Sequence, residues 1–318
     1  MIYIQDRRDT VFLRFLAIFL IANSHLDSLY PFPQLATGGA LGNALFFMLS
    51  GYGLALSEQK KERPFLRWYG RRIARIYPSL VLVVIAFHFW LWGGWRTWKI
   101  ADYLTAFIWP TPAWFISALM IFYIILFLIM KMKKPGIYLI GMVLLLVPYL
   151  YFYATFLDLS LYTIEGPGYF KWIFYLQVML FGGYLAHSTI NNGRLGHFFL
   201  LLLCLIAYYS LLFMIKLGHW GQLQAFVHVL TMPIIYLTFM LSRSWFVLCK
   251  VMASGTLFFI ISLIAGLTLE IYLLQGPVYA NKQIQLLAFP VNISAFWIAV
   301  IVLSLLTQKA AGLLRRLR

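Results

Sequence analysis

The stretch Val11–Tyr30, VFLRFLAIFLIANSHLDSLY, reads as a membrane span that carries two ionisable side chains, Arg14 and His25, in apolar surroundings. Placing Arg at the centre of a membrane helix costs ~2.5–3.5 kcal/mol on insertion scales, so such a residue is a functional candidate by default. At ~100° per residue, the steps from Arg14 to His25 turn a helix by about 1100° and return the two side chains to nearly one stripe, ~16 Å apart along the axis. The expectation is a line of chemistry running through the bilayer, with one residue near a membrane face and the other deeper.

The rest of the chain supports a membrane setting. Apolar residues make up 63% of the 318 positions and charged residues only 11%, with a mean hydropathy of +0.86, outside the range of ordinary soluble domains. Aromatics reach 19%, as interfacial belts require. The net charge of +16 is not a nucleic-acid signal, because the Lys and Arg residues cluster between apolar runs. Cys204 and Cys249 fall in or beside apolar segments, so no disulfide framework is implied. Arg7 and Arg8 before an apolar run resemble the start of a signal peptide. Arg14 interrupts that run and the apolar stretch continues too far, so the segment reads as a retained first span.

Ten apolar segments are long enough to span a bilayer, near 10–30, 39–57, 77–95, 113–131, 136–156, 171–188, 196–216, 223–242, 256–279 and 286–307. Pro78, Pro148 and Pro233 lie within or at the start of spans, where they would kink them. With ten spans both termini share a side. That side collects 19 of the 25 Lys and Arg residues, from Arg7 and Arg8 through the 60–75 cluster to Arg318; the other side holds 5, and Arg14 is internal. By the positive-inside rule the termini are cytoplasmic. No internal repeat is visible, which disfavours an inverted-repeat transporter. The expected architecture is all-α and polytopic, a single transmembrane domain over residues 1–318 with no soluble domain.

The most basic stretch, Glu58–Pro78, interleaves Phe65, Leu66, Trp68, Tyr69, Ile73 and Ile76 with Arg67, Arg71, Arg72 and Arg75. Helical spacing puts the four arginines on one broad face. Such a face suits an interfacial helix attracted to anionic lipid, or a phosphate site gripped by guanidinium forks. Composition does not choose between them. In the second span, Gly42, Ser50, Gly51 and Gly53 allow either close helix packing or a pinch point near a ligand, with Ser50 offering a hydroxyl.

Three motifs stand in order within the first 78 residues: Arg14 with His25 ten residues beyond it; Phe46-Phe47-Met48-Leu49-Ser50-Gly51-Tyr52; and Arg71-Arg72-Ile73-Ala74-Arg75-Ile76-Tyr77-Pro78. In order and spacing they resemble the acyltransferase-3 family of membrane-bound acyltransferases, many of which O-acylate bacterial surface glycans. Trp114-Phe115 with Tyr123, and Leu269-Glu270-Ile271-Tyr272-Leu273, resemble later family segments. One departure is Gln275, where many members carry His. The hydrolase-like domain fused to some members has no counterpart here.

The resemblance implies that His25 is the essential histidine, Arg14 its partner arginine, and Arg72 and Arg75, with Arg71 beside them, the acyl-CoA-binding arginines. It implies acetyl-CoA or another acyl-CoA as donor, with no metal. The acceptor would be a hydroxyl of a cell-surface or lipid-linked carbohydrate, and the setting the bacterial cell membrane. Membrane lipids are then the other partners, and nucleic acid is not one. A neutral histidine accepting a proton from the attacking hydroxyl fits this chemistry.

The remaining polar residues read more plainly. His88 has no charged neighbour at helical spacing, and His187, His197, His219 and His228 fall at or near span ends. No pair has metal-ligand spacing on a shared face. Glu270 lies inside the ninth apolar segment, where an unpaired carboxylate is expensive, so a cationic partner is expected, with Arg14 or His25 as candidates. Asp27 reads as interfacial. A transporter or flippase for a lipid-linked sugar, lined by Arg14 and His25, is the rival reading.

Overall fold

The computed structural model describes residues 7–109, 113–166, 168–188, 195–243 and 254–316, with the backbone alone at 7–9 and 316. Cys249, Arg194 and Lys250, which entered the charge and cysteine readings, lie outside these residues. Among the described residues all regular structure is helical. The longer helices are α1 (Arg7–Asn23), α2 (Gly39–Lys60) and α3 (Phe65–Val83), the last continued by a π-helical stretch over Val84–Leu91. Two short helices, α4 (Gly94–Thr97) and α5 (Ile100–Tyr103), precede α6 (Trp114–Lys131). Then come α7 (Gly136–Phe156), α8 (Phe170–Leu185), α9 (Leu195–Lys216) and α10 (Ala225–Ser242). The chain closes with α11 (Gly255–Gly266), α12 (Thr268–Tyr279), the short α13 (Lys282–Gln285) and α14 (Val291–Arg316).

Seven of these are long and apolar enough to cross a membrane: α2, α3 with its continuation, α6, α7, α9, α10 and α14. An eighth arises if α11 and α12, bent by 73° at Leu267, form one broken span. Large apolar side chains such as Val143, Val147, Leu150, Phe199, Leu203, Ile206 and Phe213 stand exposed on α7 and α9. Water would not tolerate apolar faces of that extent, whereas lipid requires them. This is a multi-pass membrane protein.

Two sequence expectations change. The segment 10–30 is not one helix: α1 stops at Asn23. The physical reason is local. Asn23 turns its amide away from the helix and donates to the carbonyls of Leu35 and Thr37 (2.8 and 3.1 Å), while Ser24 Oγ bonds back to Ile21 O. Such side chains offer the backbone an alternative to helix. The third apolar segment, expected to begin near 77, is likewise continuous with the basic stretch before it. From Phe65 onward that stretch forms the opening turns of α3, which runs through Pro78 into the membrane-length helix Phe65–Leu91.

The helices divide into two compact units. One comprises residues 1–17, 40–61 and 126–261. In it α7 packs on α8 and α9 on α10, and α2 crosses α8 where Gly51 and Gly182 meet backbone carbonyls, of Met179 and Met48 respectively. The segment before α8 is fastened by a buried polar network. Glu165 accepts from Tyr175 OH (2.9 Å) and lies 2.9 Å from His228 Nε2; His228 Nδ1 meets Tyr149 OH at 3.0 Å. Gln224 accepts from the backbone N–H groups of Thr163 and Ile164. Lys131 closes on the buried Glu58 at 2.8 Å.

The other unit comprises residues 18–39, 62–125 and 262–318. Its core is α3, α12 and α14, each packed on the other two. The break between α11 and α12 frees carbonyls that the sequence satisfies at a distance: Gln308 Nε2 of α14 donates to Gly266 O at 2.9 Å.

Candidate functional site

The second unit holds most of the expected site residues. Arg71, Arg72 and Arg75 lie on consecutive turns of α3, Arg71 and Arg75 exposed and Arg72 half-buried. The Arg72 guanidinium lies 5.1 Å from the Trp68 ring centroid, a cation–π distance, and Trp68 in turn meets Tyr123 edge-on at 5.9 Å. The Nε of Arg72 is buried without a hydrogen-bond partner. None of the three arginines pairs with a carboxylate among the described residues. Arg63, Arg71 and Arg75 are close enough for their charges to act on Arg72. An uncompensated group of guanidinium forks with a desolvated donor is suited to an oxyanion of the phosphate class.

Glu270 does not have a cation as its hydrogen-bond partner. It is 3% exposed, and its Oε1 accepts from Ser79 Oγ of α3 at 2.7 Å. The break at Leu267 explains why a hydroxyl suffices. Glu270 falls in the first turn of α12, where unpaired backbone N–H groups and the helix dipole favour a carboxylate. Gln275, farther along α12, is buried, and its Oε1 has no partner among the described residues.

His25 sits two residues beyond α1, exposed, on the loop between α1 and α2. The stripe shared with Arg14 therefore does not exist, because His25 is off the helix that carries Arg14. The loop is nonetheless built firmly. Asn23 closes it on Leu35 and Thr37, and Tyr30 OH donates to Asn23 Oδ1 at 2.7 Å. Tyr279, the last residue of α12, donates to Asp27 Oδ1 (3.0 Å) and meets Ser28 Oγ (2.8 Å). Asn292 of α14 donates to Leu29 O at 2.8 Å. So α12 carries Glu270 near its start and holds the His25 loop from its end.

Arg14 and Ser50 belong to the other unit. Arg14 is half-buried and its Nε donates to Thr10 O, one turn earlier on α1. Ser50 is half-buried and adjacent to Gly51, at the crossing of α2 and α8, where the small residues serve close helix packing. Among the described residues no group of three or more His, Cys, Asp or Glu is placed to hold a metal ion.

Ser79, Asn23, Tyr279 and Asn292 were not singled out by sequence reasoning. Asn23 carried a usable signal, an amide at the end of an apolar run followed by Ser24; the other three make their contacts with distant segments.

In a comparison with known families, the model of the acyltransferase-3 family, described as an acyltransferase domain, matches residues 11–307. Neither curated proteins nor solved structures gave a match.

Proposed function

The chain belongs to the acyltransferase-3 family, and from that membership we propose that this acyl-transferring enzyme takes an acyl group, acetyl foremost, from cytoplasmic acyl-CoA and delivers it to a hydroxyl of a cell-surface or lipid-linked carbohydrate. The chain would lie in the cytoplasmic membrane with ten crossings and both termini inside. In the reaction the acceptor oxygen attacks the thioester carbonyl, the new ester C–O bond forms and the C–S bond breaks. The hydroxyl proton passes to His25 and then to the departing CoA sulfur. His25 suits a general base because it is exposed on a fastened loop. Arg14 is assigned as its partner through the family motif.

The observation that carries the reading is the arginine group of α3: three guanidinium groups without carboxylate partners, and a buried Nε on Arg72 left unsatisfied. CoA supplies the phosphates such a group lacks. Calorimetry on the purified protein in zwitterionic detergent tests it. CoA should bind, Arg72→Ala should weaken binding by tenfold or more, and Arg72→Lys should restore it only in part, because an ammonium cannot make the fork. Unchanged CoA affinity in Arg72→Ala would remove the donor site from α3. Mass spectrometry of surface glycans from cells with and without the protein then identifies the acceptor.

A further inference from the structure

The last helix reaches the same arginine face. Within the second unit α14 packs along α3, and Arg315 Nη2 in its final turn donates to the backbone carbonyl of Arg75 at 2.7 Å. The helix dipole accounts for a cation in a last turn. It does not account for that cation being tied to a residue that already carries the same charge. Arg315 is exposed and, like Arg71, Arg72 and Arg75, has no carboxylate partner among the described residues. Glu270, which packs on α3 through Ser79 one turn beyond Arg75, accepts from that hydroxyl and pairs with none of these arginines among the described residues. A fourth guanidinium is thus anchored through one nitrogen beside three uncompensated ones, with the rest of its five N–H donors available to an incoming group. Like charges gathered from two helices repel one another, and a bound anion would relieve that repulsion.

We propose that Arg315 is a further binding residue for the donor, contacting a phosphate group together with Arg75 from the α14 side of the site. This rests on the CoA reading above and extends it. Two helices gripping one ligand suit a molecule with separated phosphates, as CoA has in its pyrophosphate and its ribose 3′-phosphate. An anionic lipid headgroup presents the same chemistry, and the test separates the two sources.

The experiment measures CoA and 3′-dephospho-CoA binding by calorimetry in nanodiscs of purely zwitterionic lipid and in discs containing anionic lipid. Wild type, Arg315→Gln and Arg315→Lys are compared, each with its melting temperature. In zwitterionic discs Arg315→Gln should weaken CoA binding about tenfold, the loss of one charge-assisted contact, with Arg315→Lys intermediate and melting unchanged. A loss confined to CoA and absent for dephospho-CoA would assign Arg315 to the 3′-phosphate; a loss for both would assign it to the pyrophosphate. Wild-type CoA affinity in Arg315→Gln overturns the proposal, and a change seen only in anionic discs assigns Arg315 to lipid and overturns it equally. If the wild-type protein itself fails to bind CoA, the donor reading falls and this proposal with it.

Discussion

The contacts of His25 and Glu270 set what each can do. His25 is exposed and stands outside any helix, so its removal should spare the helical core while removing the proposed base. His25→Ala is expected to lower acyl transfer by ~10²–10⁴-fold, the usual contribution of such a group, with CoA affinity and melting temperature unchanged. Transfer of labelled acetyl measures it, and activity within a few-fold of wild type would exclude the role. Glu270 makes the opposite case, for it is buried and its hydroxyl partner is structural. Ser79→Ala strips that donor from a desolvated carboxylate and should cost ~1–3 kcal/mol. Once Glu270→Gln has removed the charge, Ser79→Ala should cost less; thermal melts of both single variants and the double would refute the coupling if the effects simply add. The sequence makes Arg14, His25 and the α3 arginines legible, because an ionisable side chain in an apolar run stands out locally. It cannot show the Ser79–Glu270 bond, whose partners are 191 positions apart, nor the helix break that makes a cation unnecessary.

Helix crossings depend on residues that are simply small. A Cβ placed on Gly51 would run into the Met179 carbonyl, and one on Gly182 into the Met48 carbonyl. The two glycines are reciprocal, each letting its helix rest on the backbone of the other. Alanine at either site has a backbone group to displace rather than a side chain that can rotate, so α2 and α8 must separate. Gly51→Ala and Gly182→Ala should each cost more than the ~1–3 kcal/mol of ordinary overpacking. Gly53→Ala and Gly70→Ala, where nothing lies within 4 Å of the added carbon, should be neutral or stabilise by up to ~1 kcal/mol through helix propensity. Melting temperatures in detergent decide this, and equal behaviour of the four variants would dismiss the close crossing. The small-residue cluster of α2 is plain in the sequence. Which of its members touches a neighbour is not, because that depends on the rotation of α8, and an apolar helix with little amphipathic contrast does not reveal its buried side.

At the scale of the molecule, charge speaks where apolarity is ambiguous. Helix length alone does not count the crossings: α1 has 17 residues and α8 has 16, both short of the ~20 that span a bilayer without thinning it, and α11 with α12 is broken. The distribution of 25 cations, 19 on one proposed side and 5 on the other with Arg14 between, is a stronger constraint, since removing one crossing would scramble it. The proposed orientation puts Lys134 and the C-terminus inside and Lys282 outside. The prediction uses a protein whose Cys204 and Cys249 are replaced by serine. Lys282→Cys should react with a membrane-impermeant maleimide in intact cells, and Lys134→Cys only after permeabilisation. A fluorescent protein fused to the C-terminus should be bright, and a phosphatase that needs the oxidising side should be inactive there. Lys282→Cys and Lys134→Cys reacting from the same side would mean an even number of crossings between them and would refute the proposed five. The full reverse pattern would turn the α3 arginines away from the cytoplasm, and with them the proposed route for CoA.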